Sequence, residues 1–351
     1  MIKIANKLVG NDQPCFIIAE AGVNHNGDIE IAKKLIDAAA DAAADAVKFQ
    51  TWITDEIVTK SAEKAGYQKT NWGADSFYDN LKNLELSYEA FKELFNYAKS
   101  RDIICLSTPD DITSLDYLVD VCDMPAIKIG SGAITDIRLI KKITKKSIEK
   151  NIPVILSTGM SALDEITFAV NIIKNIGNDK LILLHCTSTY PTNIEDVNLR
   201  AMKMLETTFN TYVGYSDHTL DKATPIVAVA LGAVVIEKHF TLDRNLPGPD
   251  HQASLEPEEL TRMVDDIRRS EIILGSDKKE VAKGEEETRR LIRRSIVAKE
   301  EIFAGTKIEE DLLTFKIPGT GLSPKQMDKL IGLKAKRNIK KDELIKIEDF
   351  E

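Results

Sequence analysis

Cysteine is scarce in this chain and never paired. Its four residues, Cys15, Cys105, Cys122 and Cys186, lie far apart with no CxxC spacing, which excludes a cysteine-rich zinc site and a disulfide framework. Three of them sit inside apolar runs, the usage of a small buried hydrophobe in a reducing compartment. Positive charge is also in deficit: a formal net charge of -9 gives the surface no general attraction for nucleic acid or an anionic membrane. An anionic ligand therefore has to be held by a local cluster of cations. No apolar run approaches the length needed to span a bilayer, and the opening "MIKIANKLVG" lacks the apolar core of a signal peptide, so the expected location is the cytoplasm. What the chain does have, 43% hydrophobic and 29% charged residues over 351 positions, is the composition of a soluble globular protein with room for one large domain and one small one.

Short apolar runs alternate with polar loops and stretches of helical periodicity. Eight runs read as strands: 15–20, 45–50, 103–108, 126–131, 153–158, 181–186, 211–216 and 233–238. Near-continuous apolar strands separated by amphipathic helices imply a parallel sheet covered by helices, and eight such units predict a (β/α)₈ TIM barrel over residues 1–275. In the first helix, Asp28 is placed to cap the N-terminus, while Ile29, Ala32, Leu35, Ile36 and Ala39 recur as a buried stripe. Asp37, Asp41 and Asp45 fall at i, i+4 spacing and are expected to line a solvated face. The long connection from residue 51 to 87 is expected to cover the barrel mouth. Residues 276–292 are dense in charge and read as a linker, and 293–351, with short strand-like pieces and Gly and Pro turns, read as a separate small domain.

Active sites of such barrels lie at the C-terminal ends of the strands. This chain puts polar groups at every one: Glu20, Lys48 with Gln50, Ser107 with Thr108, Lys128 with Ser131, Ser157 with Thr158, the run "HCTSTYP", then Ser216, Asp217 and His218, and finally Glu237, Lys238 and His239. A lysine in an apolar strand is costly to desolvate without an anion, so Lys48 and Lys128 in one mouth predict an anionic ligand, the alternative being that each snorkels to the rim. Hydroxyls of Ser131, Ser157 and Ser216 and the backbone of the "GSG" and "STG" turns would suit a phosphate, with or without a carboxylate beside it. A lone histidine on an apolar strand is usually a core residue. Two of the five, His218 and His239, at equivalent ends of consecutive strands, point instead to one metal ion. Two protein ligands leave positions open for water and substrate, which is Lewis-acid chemistry, and Mn, Mg, Co and Fe all suit imidazole with oxygen ligands.

The segments "FIIAEAGVNHNGD", "DAVKFQT", "LSTP", "KIGSG", "LSTGM", "YPT", "GYSDHT", "EKHFT" and "GPDH", in this order, closely resemble the sialic acid synthases, and "KIPGTGLSP" resembles their C-terminal antifreeze-like (SAF) domain. The resemblance covers essentially the whole chain. It implies a carbon–carbon bond-forming transferase that condenses phosphoenolpyruvate with an N-acylated mannosamine and water, releasing phosphate and giving a nine-carbon 2-keto acid, N-acetylneuraminate when the sugar is N-acetylmannosamine. By that resemblance Glu20 is the catalytic carboxylate; Lys48, Thr108, Lys128, Ser131, Ser157 and Ser216 bind phosphoenolpyruvate; Gln50, Tyr190 and Asp250 contact the sugar. His218 and His239 are likewise matched to catalytic ligands of a divalent metal, manganese first, with magnesium or cobalt as alternatives. His25 is either a loop stabiliser or a site residue.

The resemblance also implies a domain-swapped homodimer in which an arginine of the small domain reaches the partner's sugar. This chain has Ile317 there, with Lys316 beside it, so the sugar is left open, and the 2,4-diacetamido-2,4,6-trideoxymannose that leads to N,N′-diacetyllegionaminate is the alternative substrate. Two further readings are a phosphoenolpyruvate-dependent synthase acting on a phosphorylated aldose, for which Arg244 is the obvious loop cation, and a non-catalytic carbohydrate- or ice-binding protein.

Overall fold

The computed structural model describes residues 1–64 and 76–351, so the middle of the long connection lies outside the described residues. Two short strands, β1 (Ile2–Ile4) and β2 (Lys7–Val9), form an antiparallel hairpin that the sequence reading did not anticipate. Ile2, Ile4 and Val9 bury themselves in the main core, and Gly10 at φ +151° brings the chain against the ring of Tyr212 at the start of a barrel strand. The hairpin thus closes the foot of the barrel.

The eight barrel strands follow: β3 (Phe16–Gly22), β4 (Ala46–Thr51), β5 (Ile104–Pro109), β6 (Ile127–Ile129), β7 (Val154–Ser157), β8 (Leu181–Cys186), β9 (Tyr212–Asp217) and β10 (Val235–His239). They pair in the order β5-β4-β3-β10-β9-β8-β7-β6, every pairing parallel, a near-closed (β/α)₈ barrel. Each strand falls where an apolar run stands in the sequence, with ends displaced by up to two residues. The displacements matter at β10, which extends to include His239, and at β6, which stops early because Ser131–Ala133 turns into a 3₁₀ helix.

The helix Ile29–Asp41 shows why the covering layer forms. Asp28 Oδ1 accepts from the backbone N–H of Glu30 at 2.7 Å and of Ile31 at 3.3 Å, satisfying donors the first turn leaves orphaned, and Ala32, Leu35, Ile36 and Ala39 pack inward. The expected row of solvated aspartates needs correction at Asp45, which lies beyond the helix end. Its buried carboxylate accepts from Ile17 N–H at 2.9 Å and pairs with Arg268 at 2.7 Å and Lys7 at 3.0 Å, fixing the entry to β3.

Residues Ser276–Glu351 form a second compact unit. Its core is mostly aliphatic, built on Ile296, Ile302, Ile308, Leu313, Leu330, Ile339 and Ile345 with Phe350, around the antiparallel pair β11 (Ser295–Ala298) and β12 (Leu313–Lys316). The segment read as a linker is partly helical, with a 3₁₀ turn at Lys283–Glu285 leading into an α-helix at Glu286–Ile292. Among the described residues no helix is long and apolar enough to cross a membrane.

Candidate active site

Alternation along the strands carries one set of side chains into the barrel mouth. Register brings them to the same level: His239 pairs with Glu20, Glu20 with Lys48, Gln50 with Thr108 and Glu237 with Ser216. Together with Lys128, Ser131, Ser157, Tyr190 and His218 they line a cavity of about 340 Å³. Every phosphoenolpyruvate position implied by the resemblance opens onto this one cavity, as do Glu20, Gln50, Tyr190 and both histidines.

Charge is concentrated and almost wholly buried here. Lys48 Nζ lies 2.7 Å from Glu20 Oε2 and 3.6 Å from Glu237 Oε2, and donates to Thr108 Oγ1 at 3.0 Å. Burial disfavours its ammonium, but the two carboxylates outweigh burial and hold its pKa above the ordinary value. Burial raises the Glu20 carboxyl, with Lys48 opposing and Glu237 reinforcing, and the net shift is upward. Glu237 feels the same burial, yet Lys128 and Lys48 overcome it and keep it ionised well below the usual carboxylate range. Two carboxylates of the same type thus hold protons very differently, the pattern that separates an acid–base group from a fixed charge.

Lys128 is less well satisfied. Its ammonium, 4% exposed, stands 3.6 Å from Glu237 Oε1, beyond hydrogen-bond length, and burial lowers its pKa. Ser157 Oγ in the same cavity is buried with no hydrogen-bond partner. An under-satisfied cation and an idle hydroxyl facing one space mark where an anion would be stabilised. Of the turns expected to offer backbone donors, the "STG" turn is already engaged, since Gly159 N–H donates to Ser131 Oγ at 3.1 Å. Only glycine fits at 159, because an added Cβ would lie 2.2 Å from Ser188 Oγ.

His218 and His239 come together, ring centroids 5.4 Å apart. His218 Nδ1 stands 2.7 Å from the Thr187 carbonyl, which can only accept, so the proton sits on Nδ1 and the Nε2 lone pair faces the cavity, where Tyr190 Oη meets it at 3.2 Å. Burial holds both imidazoles below the usual histidine pKa and therefore neutral near pH 7, His239 the more so because His218 adds to the effect. His239 Nδ1 is buried without a hydrogen bond. Two neutral imidazoles, one with its Nε2 lone pair turned to the cavity and one with an orphaned nitrogen, fit a divalent cation. No group of three or more His, Cys, Asp or Glu among the described residues is disposed around an ion, so two imidazoles leave coordination positions to other ligands.

Asp250 is not in the cavity wall. Its Oδ2 lies 3.7 Å from His239 Nδ1, and burial pushes the carboxyl up to about 6. His25 takes the loop-stabilising part: Nδ1 accepts from Gly27 N–H at 3.0 Å, and the ring is buried beneath the turn. Arg244 is engaged, its guanidinium bound to Glu259 and to the Ser254 carbonyl. In the second unit Lys316 pairs with Asp342 at 2.5 Å while Ile317 is 55% exposed. Sequence reasoning named Glu237 and the run holding Cys186 and Ser188 as strand-end groups without giving them a role, and passed over Asp110; all four line the cavity. Glu237 was within reach, lying two residues before His239 and so on the same face of β10.

Fold and site define a (β/α)₈ barrel enzyme with a small C-terminal module. A model of the NeuB family matches residues 35–279 and a model of the SAF domain matches residues 293–351. The N,N′-diacetyllegionaminic acid synthase of Legionella pneumophila is 45% identical over 335 residues, covering 94% of this chain and 93% of that protein. The N-acetylneuraminate-9-phosphate synthase of Mus musculus is 36% identical over 346 residues, covering 98% of this chain and 94% of that one. A crystal structure of the N-acetylneuraminic acid synthetase from Leptospira borgpetersenii superposes with a TM-score of 0.72 at 36% identity, covering 82% of this chain and 94% of that chain. The chain belongs to the NeuB family of nonulosonic acid synthases.

Proposed function

We propose that this chain condenses phosphoenolpyruvate with the open-chain form of an N-acylated amino sugar and water, and that the sugar is 2,4-diacetamido-2,4,6-trideoxymannose, giving N,N′-diacetyllegionaminate and phosphate. The observation that carries the reading is the under-satisfied Lys128 ammonium and idle Ser157 hydroxyl beside Lys48, a cradle suited to an anion. Phosphoenolpyruvate brings a phosphate and a carboxylate to the two lysines, with Thr108, Ser131 and Ser216 as neutral donors.

In the reaction C3 of phosphoenolpyruvate attacks the sugar aldehyde carbon, the aldehyde oxygen gains a proton, water adds at the cationic C2, and loss of phosphate leaves the 2-keto group. Glu20, whose raised pKa brings proton exchange toward neutrality, takes the proton of the water that adds. Glu237 stays ionised between the lysines and moderates the field of the cradle. His218 and His239 would hold a divalent cation, manganese before magnesium or cobalt, which when bound supplies Lewis-acid polarisation of the aldehyde. Gln50 and Tyr190 line the sugar side of the cavity, with Asp250 adjoining through His239. The working form is a homodimer in this reading, which sedimentation at micromolar concentration tests.

The choice of sugar rests on two supports: the diacetyllegionaminic acid synthase is more similar than the N-acetylneuraminate-9-phosphate synthase, and Ile317 puts an apolar side chain where the resemblance expects arginine. The phosphorylated-aldose reading loses its cation, since Arg244 is bound to Glu259. Measuring kcat/KM for N-acetylmannosamine and for the diacetamido sugar, with mass detection of the keto acid, tests the assignment. A preference of about tenfold or more for the diacetamido sugar is expected; the reverse preference overturns it. Loss of phosphate release on chelation and its return with manganese tests the cation.

A further inference from the structure

Behind the two histidines lies a buried ion pair that the reaction does not use. Asp217 and Lys238 each precede one of the histidines, sit directly opposite each other in the β9–β10 register, and point away from the mouth, 0% and 1% exposed in their side chains. Lys238 Nζ donates to Asp217 Oδ2 at 2.6 Å and also to the Thr219 carbonyl. The other Asp217 oxygen accepts from Thr219 N–H at 2.9 Å and from Tyr215 Oη at 3.3 Å. One ammonium therefore grips the residue on each side of His218, while its own backbone leads straight into His239.

We propose that the Asp217–Lys238 pair is the positioning device that sets the spacing of His218 and His239 for a metal ion. The physical case is one of cost. A buried ion pair is commonly no better for stability than two well-packed apolar residues, so its use here is to impose a geometry that apolar contacts would leave loose. The end of β9 needs such a tie, because Thr219 lies past the last strand residue and has no ladder partner to hold it. The third fixed point is the Thr187 carbonyl on His218 Nδ1. With residues 217 and 219 tied to Lys238, the imidazole between them keeps a single orientation relative to its neighbour on β10, as metal ligands held from behind do.

The inference rests on the metal reading of the site, and the test separates the two. Mn(II) binding to the purified full chain is measured by titration with electron paramagnetic resonance, alongside phosphoenolpyruvate binding and circular dichroism. Wild type is expected to bind Mn(II); no binding up to millimolar ion overturns both the metal reading and this proposal. The variant Asp217→Asn/Lys238→Gln removes both charges, with Asn isosteric to Asp and Gln one atom shorter than Lys, so no lone charge is left buried. It is expected to bind Mn(II) at least about tenfold more weakly with a broadened spectrum, while phosphoenolpyruvate affinity falls by less than about threefold. Lys238→Arg keeps the charges but replaces a point ammonium with a wider planar group, and is expected to weaken Mn(II) binding as well. If either variant, folded by circular dichroism, binds Mn(II) with wild-type affinity and spectrum, the pair does not position the histidines and the proposal fails while the metal reading stands.

Discussion

Two ion pairs of similar length show how differently the barrel mouth and the second unit use charge. Lys48 and Glu20 meet at 2.7 Å with both side chains 2% exposed; Lys316 and Asp342 meet at 2.5 Å with about half of each in water. In water the attraction is screened and the ions keep most of their hydration, so the exposed pair adds little. Inside the mouth each ion has lost its hydration, and each survives because several others face it. Distance alone does not distinguish these cases. Burial does, and it makes the mouth a place where removing one group changes the state of its neighbours.

The first way to break this comparison is Lys48→Met. It leaves Glu20 and Glu237 facing each other with only the more distant Lys128, and is expected to cost about 3–5 kcal/mol of stability near neutral pH along with measurable turnover. Chemical denaturation and phosphate release check both parts; a loss below about 1 kcal/mol would mean that the mouth treats its charges as the surface does. Glu20→Gln separates function from stability. Its carboxyl is buried at a net cost, since the pKa is raised despite Lys48, so the amide is expected to fold at least as stably while turnover falls about 10³-fold. Retained turnover removes Glu20 from the water step.

How much of this was legible in the sequence follows from the same physics. Strand residues are dictated locally: apolar runs such as "FIIA" and "VVI" have few ways to bury both faces except between a barrel interior and a helix layer, and the eight strands lie where those runs are. The paired histidines and inward lysines were legible because strand-end position and side-chain alternation fix where they point. What the sequence hid was pairing across the chain. Asp45 looked like one of three surface aspartates until Arg268, 223 residues away, was seen to hold it. Glu237 could be placed by alternation from His239, but that Asp217 and Lys238 sit opposite each other depends on register between strands, which no single segment states. The hairpin at residues 2–9 escaped because its strands are three residues each, too short for alternation to register.

His25 gives a smaller, pH-dependent test of burial. Its imidazole is pushed down to about 4 from 6.5, first by burial and then by His251. The folded chain therefore favours the neutral ring. The contribution is fully present above pH 6.5 and is lost as pH falls from 6.5 toward about 4, up to about 3 kcal/mol. His25→Asn retains an acceptor for Gly27 N–H but cannot be protonated. The stability difference between wild type and variant is expected to shift by about 2–3 kcal/mol in favour of the variant between pH 7 and pH 4. A difference that stays constant over that range would show that the ring reaches solvent.

The smallest effect belongs to Lys316→Ala. The residue pairs with Asp342 at the surface, where holding two long side chains in place offsets most of the attraction, and the expected change in stability is below about 1 kcal/mol. It also bears on the sugar. If Lys316 stood in for the arginine absent at Ile317, its removal would raise KM for the sugar severalfold. Because Asp342 already holds the ammonium, and because adjacent residues of an extended segment face opposite ways, kcat/KM is expected to stay within about twofold of wild type. Steady-state kinetics with the diacetamido sugar checks this. A severalfold rise in KM with unchanged stability would assign Lys316 to substrate, and would make this exposed pair behave as the buried one does.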